Sequence, residues 1–304
     1  MASDMKKNAG YYIAALAVAA AGVKLVQNVG ERSNTTLDIL SVVLLAAGIT
    51  AFVYSVGEFS TNLIAGIVAL FAAIVLLGLF AARQLKLEHP VLNVRPMASV
   101  RFWPACLLVV VSMMTTFSMS VLLPLYFEGA YGMTALIAGL LILPAIACNA
   151  VTSIVGGRVM DARGAWPLLP VGFALIAVGQ TAISMTAASM NIGVVVALTV
   201  VVYAGVGLVL SPSQTAGLET LPAAEHPHGT ALLNTWNMIA ASFGPSLFIG
   251  LLSSSAATAG VAGAATDVAQ AIGFAAAVRV AAVIAVVGFA TSLVYARRES
   301  HMSH

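Results

Sequence analysis

The sequence predicts an all-α membrane protein, built as a polytopic helical bundle. Of its 304 residues, 61% are hydrophobic and only 8% are charged, whereas a soluble domain is about 45–50% apolar and about 25% charged. Such a chain has too little polar surface to cover a water-exposed globule, so its solvent must be lipid. Its apolar runs are continuous and reach the length of about 20 residues that a membrane-crossing helix needs. Barrel strands would instead alternate apolar and polar residues.

Nine apolar runs predict nine transmembrane helices. The first follows Lys6 and Lys7 and so resembles a signal peptide, but no A-x-A cleavage site precedes the next run, and we interpret it as a retained span. The predicted spans are 11–27, 37–56, 62–82, 103–126, 133–155, 167–186, 190–212, 230–253 and 272–296.

Basic residues predict the orientation, because loops rich in Lys and Arg stay in the cytoplasm. With nine spans, ten of the thirteen basic residues fall on the side of the C-terminus: Lys24, Arg32, Arg83, Lys86, Arg95, Arg101, Arg158, Arg163, Arg297 and Arg298. The C-terminus is therefore predicted to be cytoplasmic and the N-terminus extracytoplasmic, in a multi-pass plasma-membrane protein. Lys6 and Lys7 lie on the disfavoured side, which suggests that a segment upstream is missing.

The segment 156–166, GGRVMDARGAW, concentrates charge in a chain that has little of it. Asp161 is placed to face the positive end of the next helix dipole, while Arg158 and Arg163 can anchor a cytoplasmic turn or pair with Asp161. Two interpretations stay open: an anchored, capped turn, or an ion-pair latch that forms in one conformational state and breaks in another. Three glycines are expected to allow a close helix approach and a sharp turn: Gly156, Gly157 and Gly164.

The spacing of Gly157, Asp161 and Gly164 resembles the signature loop of major facilitator superfamily transporters, which joins the second and third helices of each six-helix half. Two departures stand out: Ala162 follows Asp161 in place of Arg, and Ala165-Trp166 replaces a basic pair. Four more stretches resemble, in order, the fourteen-span drug–proton antiporter branch of this family: LEHPVLNVRPM from position 87, LPLYFEGAYGMTALIAGLLILP from 123, YAGVGLVLSPSQTAGLETLP from 203 and GTALLNTWNMIAASFGPSLF from 229.

The resemblance implies three parts of the chain. Residues 1–36 would hold the last helix of an otherwise missing N-terminal half, and residues 37–100 two linking transmembrane helices and a cytoplasmic loop. Residues 101–304 would form the C-terminal six-helix transporter half. The expected fold is thus that half of a major facilitator fold plus three preceding helices, in a truncated transporter.

The resemblance also implies where a substrate cavity would lie, near the bilayer midplane between two halves. Met and aromatic side chains suit varied apolar ligands, although the polar candidates equally suit helix-to-helix bonding. The candidates for lining the cavity are Met113, Thr116, Phe117, Ser120, Asn149, Tyr203, Asn234, Asn237 and Met238. Helix kinks are expected at Pro124, Pro212, Gly244 and Pro245.

The function that the resemblance implies is multidrug efflux by alternating access, coupled to the proton gradient. The partners would be the lipid bilayer, a small lipophilic substrate, and a separate N-terminal half or a second copy of the chain. The alternative is a non-transporting remnant or accessory subunit. No Ser/His/Asp set, metal-ligand cluster or Walker loop occurs, so the sequence predicts no enzyme, no metal, no cofactor and no nucleic-acid partner.

Charged residues within the predicted spans are few. No Asp or Glu lies deep in a span, so the carboxylates that couple transport to protons are expected outside this chain. Arg279 is expected to lie close enough to a span end to reach the headgroups.

Overall fold

Eight α-helices joined by short connections make up the described part of the chain. The computed structural model describes residues 38–58, 62–87 and 93–300. Its helices belong to one compact unit, Asp38–His304. They are α1 (Ile39–Glu58), α2 (Leu63–Lys86), α3 (Phe102–Tyr131), α4 (Ala135–Arg163), α5 (Leu168–Thr186), α6 (Ile192–Glu219), α7 (His226–Val261) and α8 (Thr266–Ser300). The predicted all-α class is confirmed, and the first predicted span, 11–27, lies outside these ranges.

Within the described ranges, seven helices, α2 to α8, are long and apolar enough to cross a membrane, and α1 carries a shorter apolar stretch, Ile39–Ser55. Lipid offers the backbone no hydrogen-bond partners, so apolar runs close their bonds within helices. Most helices extend past the predicted spans. α7 has 36 residues, which is about 54 Å at 1.5 Å per residue, against a hydrocarbon core of about 30 Å. The ends of α7 therefore lie outside the apolar layer.

Successive helices reverse direction, so their connections lie at two ends of the bundle. We call one the motif end; it holds the α4–α5 turn (residues 164–167) and the starts of α3 and α7. The opposite end holds the connections 132–134, 187–191 and 262–265. At that end the Asn191 side chain accepts a hydrogen bond from the Val194 backbone N–H at 3.2 Å and so caps α6.

α3 is the central helix of the group α3 to α8. It packs against α6, α7 and α8, and α5 packs between α6 and α8. In the most apolar segment of α3, 61% of the residues are buried, compared with 17% in α4 and 22% in α7. α4 packs mainly on α6, and α7 mainly on α3 and α8. α4 and α7 therefore present most of their surface outside the bundle.

Two glycines let α6 approach helices on opposite sides. A Cβ at Gly205 would lie 2.6 Å from the carbonyl oxygen of Gly172 in α5, and a Cβ at Gly207 would lie 2.6 Å from that of Asn149 in α4. Real Cβ atoms do not approach backbone this closely, so a side chain at either position would force the helices apart. Close approach through small residues is the main packing device of membrane helices, because lipid removes the hydrophobic drive between them.

Aromatic side chains join three elements at the opposite end of the bundle. The ring of Tyr126 stacks on that of Phe274 with centroids 4.2 Å apart, and it meets Tyr131 edge-on at 5.5 Å. The Tyr126 hydroxyl donates to the Ala187 carbonyl at 2.9 Å. Tyr126 therefore ties α3 both to α8 and to the α5–α6 connection.

An ion pair closes the α1–α2 hairpin at the motif end. Arg83 donates from Nε to Asp38 Oδ2 at 2.7 Å and from Nη2 to Oδ1 at 3.1 Å, a bidentate geometry. Ser41 Oγ donates to Asp38 at 2.7 Å and accepts from Gln84 Nε2 at 2.6 Å. The hydrogen bonds from Arg83 and then Ser41 hold the pKa of Asp38 well below its ordinary value of 3.8.

We expect Arg83→Gln to loosen this hairpin and to speed hydrogen–deuterium exchange at Val42, whose N–H donates to the Asp38 carbonyl, and in the following turn of α1. Folding lowers the pKa of Asp38. The ion pair therefore stabilises the fold fully above about pH 3.8, the ordinary pKa of the group, and this stabilisation is lost only as the pH falls through the lower folded pKa. Exchange in the parent, corrected for the intrinsic rate, should thus not change between about pH 8 and about pH 5. Arg158→Gln is the control, since Arg158 is exposed and has no ion pair in the described chain. Equal exchange in both variants would show that the pair does not hold the hairpin.

Candidate substrate-cavity face

An open stripe runs along α3, although most of that helix is buried. Phe117 and Ser120 are exposed, and Met113 and Thr116 are half-buried. Thr116 Oγ1 donates to the Ser112 carbonyl at 2.8 Å and Ser120 Oγ donates to the Phe117 carbonyl at 2.8 Å. The two hydroxyls therefore satisfy their protons within the helix, which leaves their oxygens free to accept from a ligand. The structure brings these four predicted residues onto one face.

The predicted residues of α7 divide between two faces. Asn234 and Met238, four residues apart, are both exposed. Asn237 is only 6% exposed, and its Oδ1 has no hydrogen-bond partner within the described chain. Asn237 is about 60° around α7 from Asn234 and about 100° from Met238, and the edge of the buried surface falls between them. The interpretation that places Asn237 on the open face is therefore wrong.

Asn149 and Tyr203 meet, but as a contact between α4 and α6. Asn149 Nδ2 donates to the backbone carbonyl of Tyr203 at 3.0 Å. The Tyr203 side chain is 5% exposed, so it lies in the core and not on an open face. Of the two alternatives that the sequence leaves open, the geometry of this pair matches helix-to-helix bonding.

This geometry predicts that Asn149→Leu lowers the stability of the bundle. Breaking the bond to the Tyr203 carbonyl is expected to cost about 0.6–1.7 kcal/mol, as interhelical hydrogen bonds do in membranes. Asn234→Leu makes the same chemical change at an exposed side chain that has no hydrogen bond within the described residues, so it should leave stability unchanged. Steric-trap or SDS unfolding of the reconstituted protein measures both. A larger loss in Asn234→Leu would reverse these assignments.

The charged segment 156–166 is mostly helix and not a turn. α4 continues through Arg163, eight residues beyond the predicted span end at 155, because Gly156 and Gly157 are followed by a run of side chains that favour or tolerate a helix. The helix ends at Gly164, whose φ of 72° is a conformation that favours glycine. The sharp turn predicted for the whole segment is thus confined to residues 164–167.

The three glycines of the segment have different roles. A Cβ at Gly156 would meet the Gly207 carbonyl at 3.2 Å, so Gly156 makes the close approach to α6, whereas Gly157 has open space around it. Gly164 makes the turn. The predicted close approach therefore depends on Gly156 and not on Gly157.

Charges at this turn are solvated in the described conformation. Arg158, Asp161 and Arg163 are exposed, and the one ion pair found in the described residues is Arg83–Asp38. Asp161 lies in the last turn of α4 and not ahead of α5, because the helix extends past it. The ion-pair latch stays a prediction, and it requires a second conformation or a partner.

The predicted kink positions all lie inside helices: Pro124 in α3, Pro212 in α6, and Gly244-Pro245 in α7. The same holds for Pro144 in α4, which the sequence analysis did not single out. A Cβ at Gly244 would lie 3.2 Å from Ser118 Oγ and 3.4 Å from Met114 Cα. Gly244 therefore also brings α7 close to α3, a role that the local sequence does not indicate.

Acidic side chains lie at the helix ends. Glu58 and Glu219 are the last residues of α1 and α6, and Asp267 is the second residue of α8. α8 begins at Thr266 and not at 272, so Arg279 lies about 20 Å along the helix from its first residue at 1.5 Å per residue; that its side chain reaches the headgroups stays a prediction. Arg279 is an exposed cation near the middle of that helix.

A groove between α1 and α7 is a feature that the sequence analysis missed. It has a volume of about 260 Å³. Its lining residues are Ile49, Phe52 and Val53 of α1 with Asn234, Thr235, Met238, Ile239 and Ser242 of α7. The apolar periodicity of each helix marks an outward face, but it does not indicate which two outward faces lie side by side.

Comparison with known protein families matches residues 35–245 to the Major Facilitator Superfamily. The match covers more than half of the 304 residues. This chain belongs to the Major Facilitator Superfamily. Members of this superfamily are transporters and not enzymes, and the membership together with the apolar helices confirms the multi-pass membrane location.

Relatives of this major facilitator chain include drug-resistance proteins. It is 31% identical over 235 residues to the lincomycin resistance protein LmrB of Listeria monocytogenes, covering 76% of this chain and 50% of that protein. It is 33% identical over 273 residues to the MFS-type transporter YcnB of Bacillus subtilis, with coverages of 88% and 57%. A multidrug resistance protein B homolog of Mycobacterium tuberculosis is 25% identical over 227 residues, with coverages of 72% and 42%. The chain thus spans about half the length of the relatives it matches.

Proposed function

We propose that this chain is the C-terminal part of a drug-efflux transporter of the fourteen-span branch, which works by alternating access when an N-terminal half completes it. In this proposal residues 37–100 are the two linking helices and residues 101–304 the C-terminal half. The N-terminal half would supply the proton-coupling carboxylates, since the acidic residues of the described chain lie at helix ends. The C-terminus would be cytoplasmic, as the distribution of Lys and Arg predicts.

The observation that carries the proposal is the open surface of α3, α4 and α7. A six-helix group that spanned the membrane for structural reasons alone would need only apolar side chains there. Thr116 and Ser120 instead place hydroxyl oxygens along the open stripe of α3, where hydrocarbon offers them no hydrogen-bond donor. A second half would cover these faces and enclose the polar groups in a cavity. The similarity to a lincomycin resistance protein and to a multidrug resistance protein homolog supports a drug as cargo, and the apolar side chains exposed on these faces favour a lipophilic one.

Ethidium export from a pump-deficient host tests the proposal. The chain is expressed alone, or together with the first half of its relative YcnB on a separate plasmid or fused in frame. We expect export only from the completed assembly, and we expect a protonophore to abolish it. Size-exclusion chromatography of the purified complex establishes whether the two halves assemble. Export by the chain alone would contradict the proposal, and an assembled complex that exports nothing would favour the alternative of a non-transporting membrane component.

A further inference from the structure

The groove between α1 and α7 is formed by matching stripes on two helices that are far apart in sequence. Asn234, Met238 and Ser242 recur every four residues on α7, and Phe52 and Val53 face them from α1. The helix period places residues four apart on one face. The groove is therefore a continuous strip along α7 and not a single surface pit.

Contacts on α7 hold the α1–α2 hairpin in place. Nearer the motif end, Phe80 of α2 shares a buried apolar cluster with Leu232 and Leu233 of α7. Further along, the rings of Phe52 and Phe243 lie with centroids 5.7 Å apart. The hairpin is thus packed on α7 beside the groove, and the groove is a gap left within that contact.

The groove is lined by apolar side chains and by polar side chains that can hydrogen-bond to a ligand. Ile49, Phe52, Val53, Met238 and Ile239 supply the apolar surface. Thr235 Oγ1 donates to the Ala231 carbonyl at 2.8 Å, so its proton is satisfied within α7. The side chains of Asn234 and Ser242 make no hydrogen bond within the described residues, and both are exposed.

The apolar and polar lining residues together indicate which kind of molecule the groove would bind. A lipid acyl chain would fill the apolar volume but would leave the Asn234 amide without a partner, at a cost in free energy. A volume of about 260 Å³ lies just below the range of about 300–1,000 Å³ for drug-sized sites. It suits one or two aromatic rings, which pack against Phe52 and the adaptable Met238 thioether. A carbonyl, amine or hydroxyl on the ligand would then bond to Asn234.

We propose that the α1–α7 groove is a binding site for a lipophilic aromatic molecule that carries one hydrogen-bonding group, and that such a molecule enters it from the bilayer. The groove takes Asn234 and Met238, which the sequence analysis expects in the cavity between two halves, and it is separate from the face of α3 that would line that cavity. It deepens the proposed function, because it places the lipophilic cargo at the linking hairpin before transport. Binding there needs no second half.

Photolabelling with benzophenone tests this site. Benzophenone is a diaryl ketone, its carbonyl accepts one hydrogen bond, and its excited state inserts preferentially into methionine. The chain is reconstituted in liposomes and irradiated, and labelled peptides are identified by mass spectrometry. Met185 of α5 is the internal control, because it is 76% exposed while Met238 is 65% exposed. We expect Met238 to be labelled several-fold more than Met185. Met185 is the penultimate residue of α5, so the comparison of Val53→Trp with Val43→Trp decides between binding in the groove and simple partitioning of benzophenone into lipid.

Three variants test whether the labelling of Met238 depends on the groove and on the Asn234 amide. Val53→Trp fills the groove from α1 and should reduce Met238 labelling to the level of Met185. Val43→Trp places the same side chain at another exposed position of α1 outside the groove and should change nothing. Asn234→Leu should weaken labelling about fivefold, the loss expected for one hydrogen bond.

Two outcomes would overturn the proposal. Equal labelling of Met238 and Met185 in the parent would show that the groove binds nothing selectively. Undiminished labelling in Asn234→Leu would show an apolar occupant, such as an acyl chain. Labelling is independent of export, so a labelled groove in a complex without ethidium export would refute the transport proposal alone.

Discussion

Gly207→Val is expected to prevent α4 from packing on α6. A Cβ at this position would collide with Thr152 Oγ1, lie 2.6 Å from the Asn149 carbonyl oxygen and lie 3.0 Å from the Ser153 backbone nitrogen. Two of these three neighbours are backbone atoms, which cannot rotate away. Overpacking of a close contact costs about 1–3 kcal/mol and sometimes more. We expect this case to fall at or above the upper end.

The matched control is Gly139→Ala in α4, where an added Cβ would have no atom within 4 Å. Thermal unfolding in detergent and the monodisperse fraction on size exclusion measure both variants. We expect Gly139→Ala to equal the parent or to stabilise it slightly, because alanine is the better helix former. A Gly207→Val protein that is as stable as the parent would mean that α4 and α6 are not in contact here.

Phe102→Ala should have the second large effect. The Phe102 side chain is fully buried at the motif end. It shares a cluster with Phe80 of α2, Leu221 after α6 and Leu232 of α7, so it joins the hairpin to three parts of the bundle. Truncating a buried phenylalanine costs about 3–5 kcal/mol. We expect loss of stability together with release of the hairpin, seen as increased proteolysis between α2 and α3.

Trp103→Ala is the control, because the neighbouring ring is larger but is 45% exposed. Its loss should change stability by much less than that of Phe102. If both variants lost equal stability, burial in the folded bundle would not be the source of the effect. If Phe102→Ala lost stability but kept the hairpin protected from protease, Phe102 would belong to the core without joining the hairpin to it.

The overall class could be predicted from the sequence because lipid constrains it so strongly. An apolar run of the right length has to be a helix, so composition and run length suffice for the all-α bundle. The resemblance around Gly157, Asp161 and Gly164 likewise indicates the superfamily that residues 35–245 confirm. Helix ends are less predictable, since hydropathy marks where lipid ends and not where the helix ends. The continuation of α4 to Arg163 is such a case.

Side-chain partners depend on which helices become neighbours, and that information is not local. Asn237 and Asn234 look equivalent in the sequence, yet one is buried and the other exposed. Asn149 looks like a cavity residue until the Tyr203 carbonyl is placed beside it. The groove at Met238 needs α1 to lie on α7, two helices separated by more than a hundred residues. Periodicity gives each face but not its neighbour.

Water access to the open stripe of α3 is the most direct test of a cavity between two halves. In a Cys106→Ala, Cys148→Ala background of the completed transporter, Ser120→Cys is compared with Val178→Cys, which is 66% exposed on α5. A membrane-impermeant thiol reagent is applied to both. The account predicts that the cysteine at position 120 reacts and that ethidium protects it, while the one at 178, facing lipid, stays unmodified. An unreactive cysteine at 120, or equal reaction at both positions, would contradict the account.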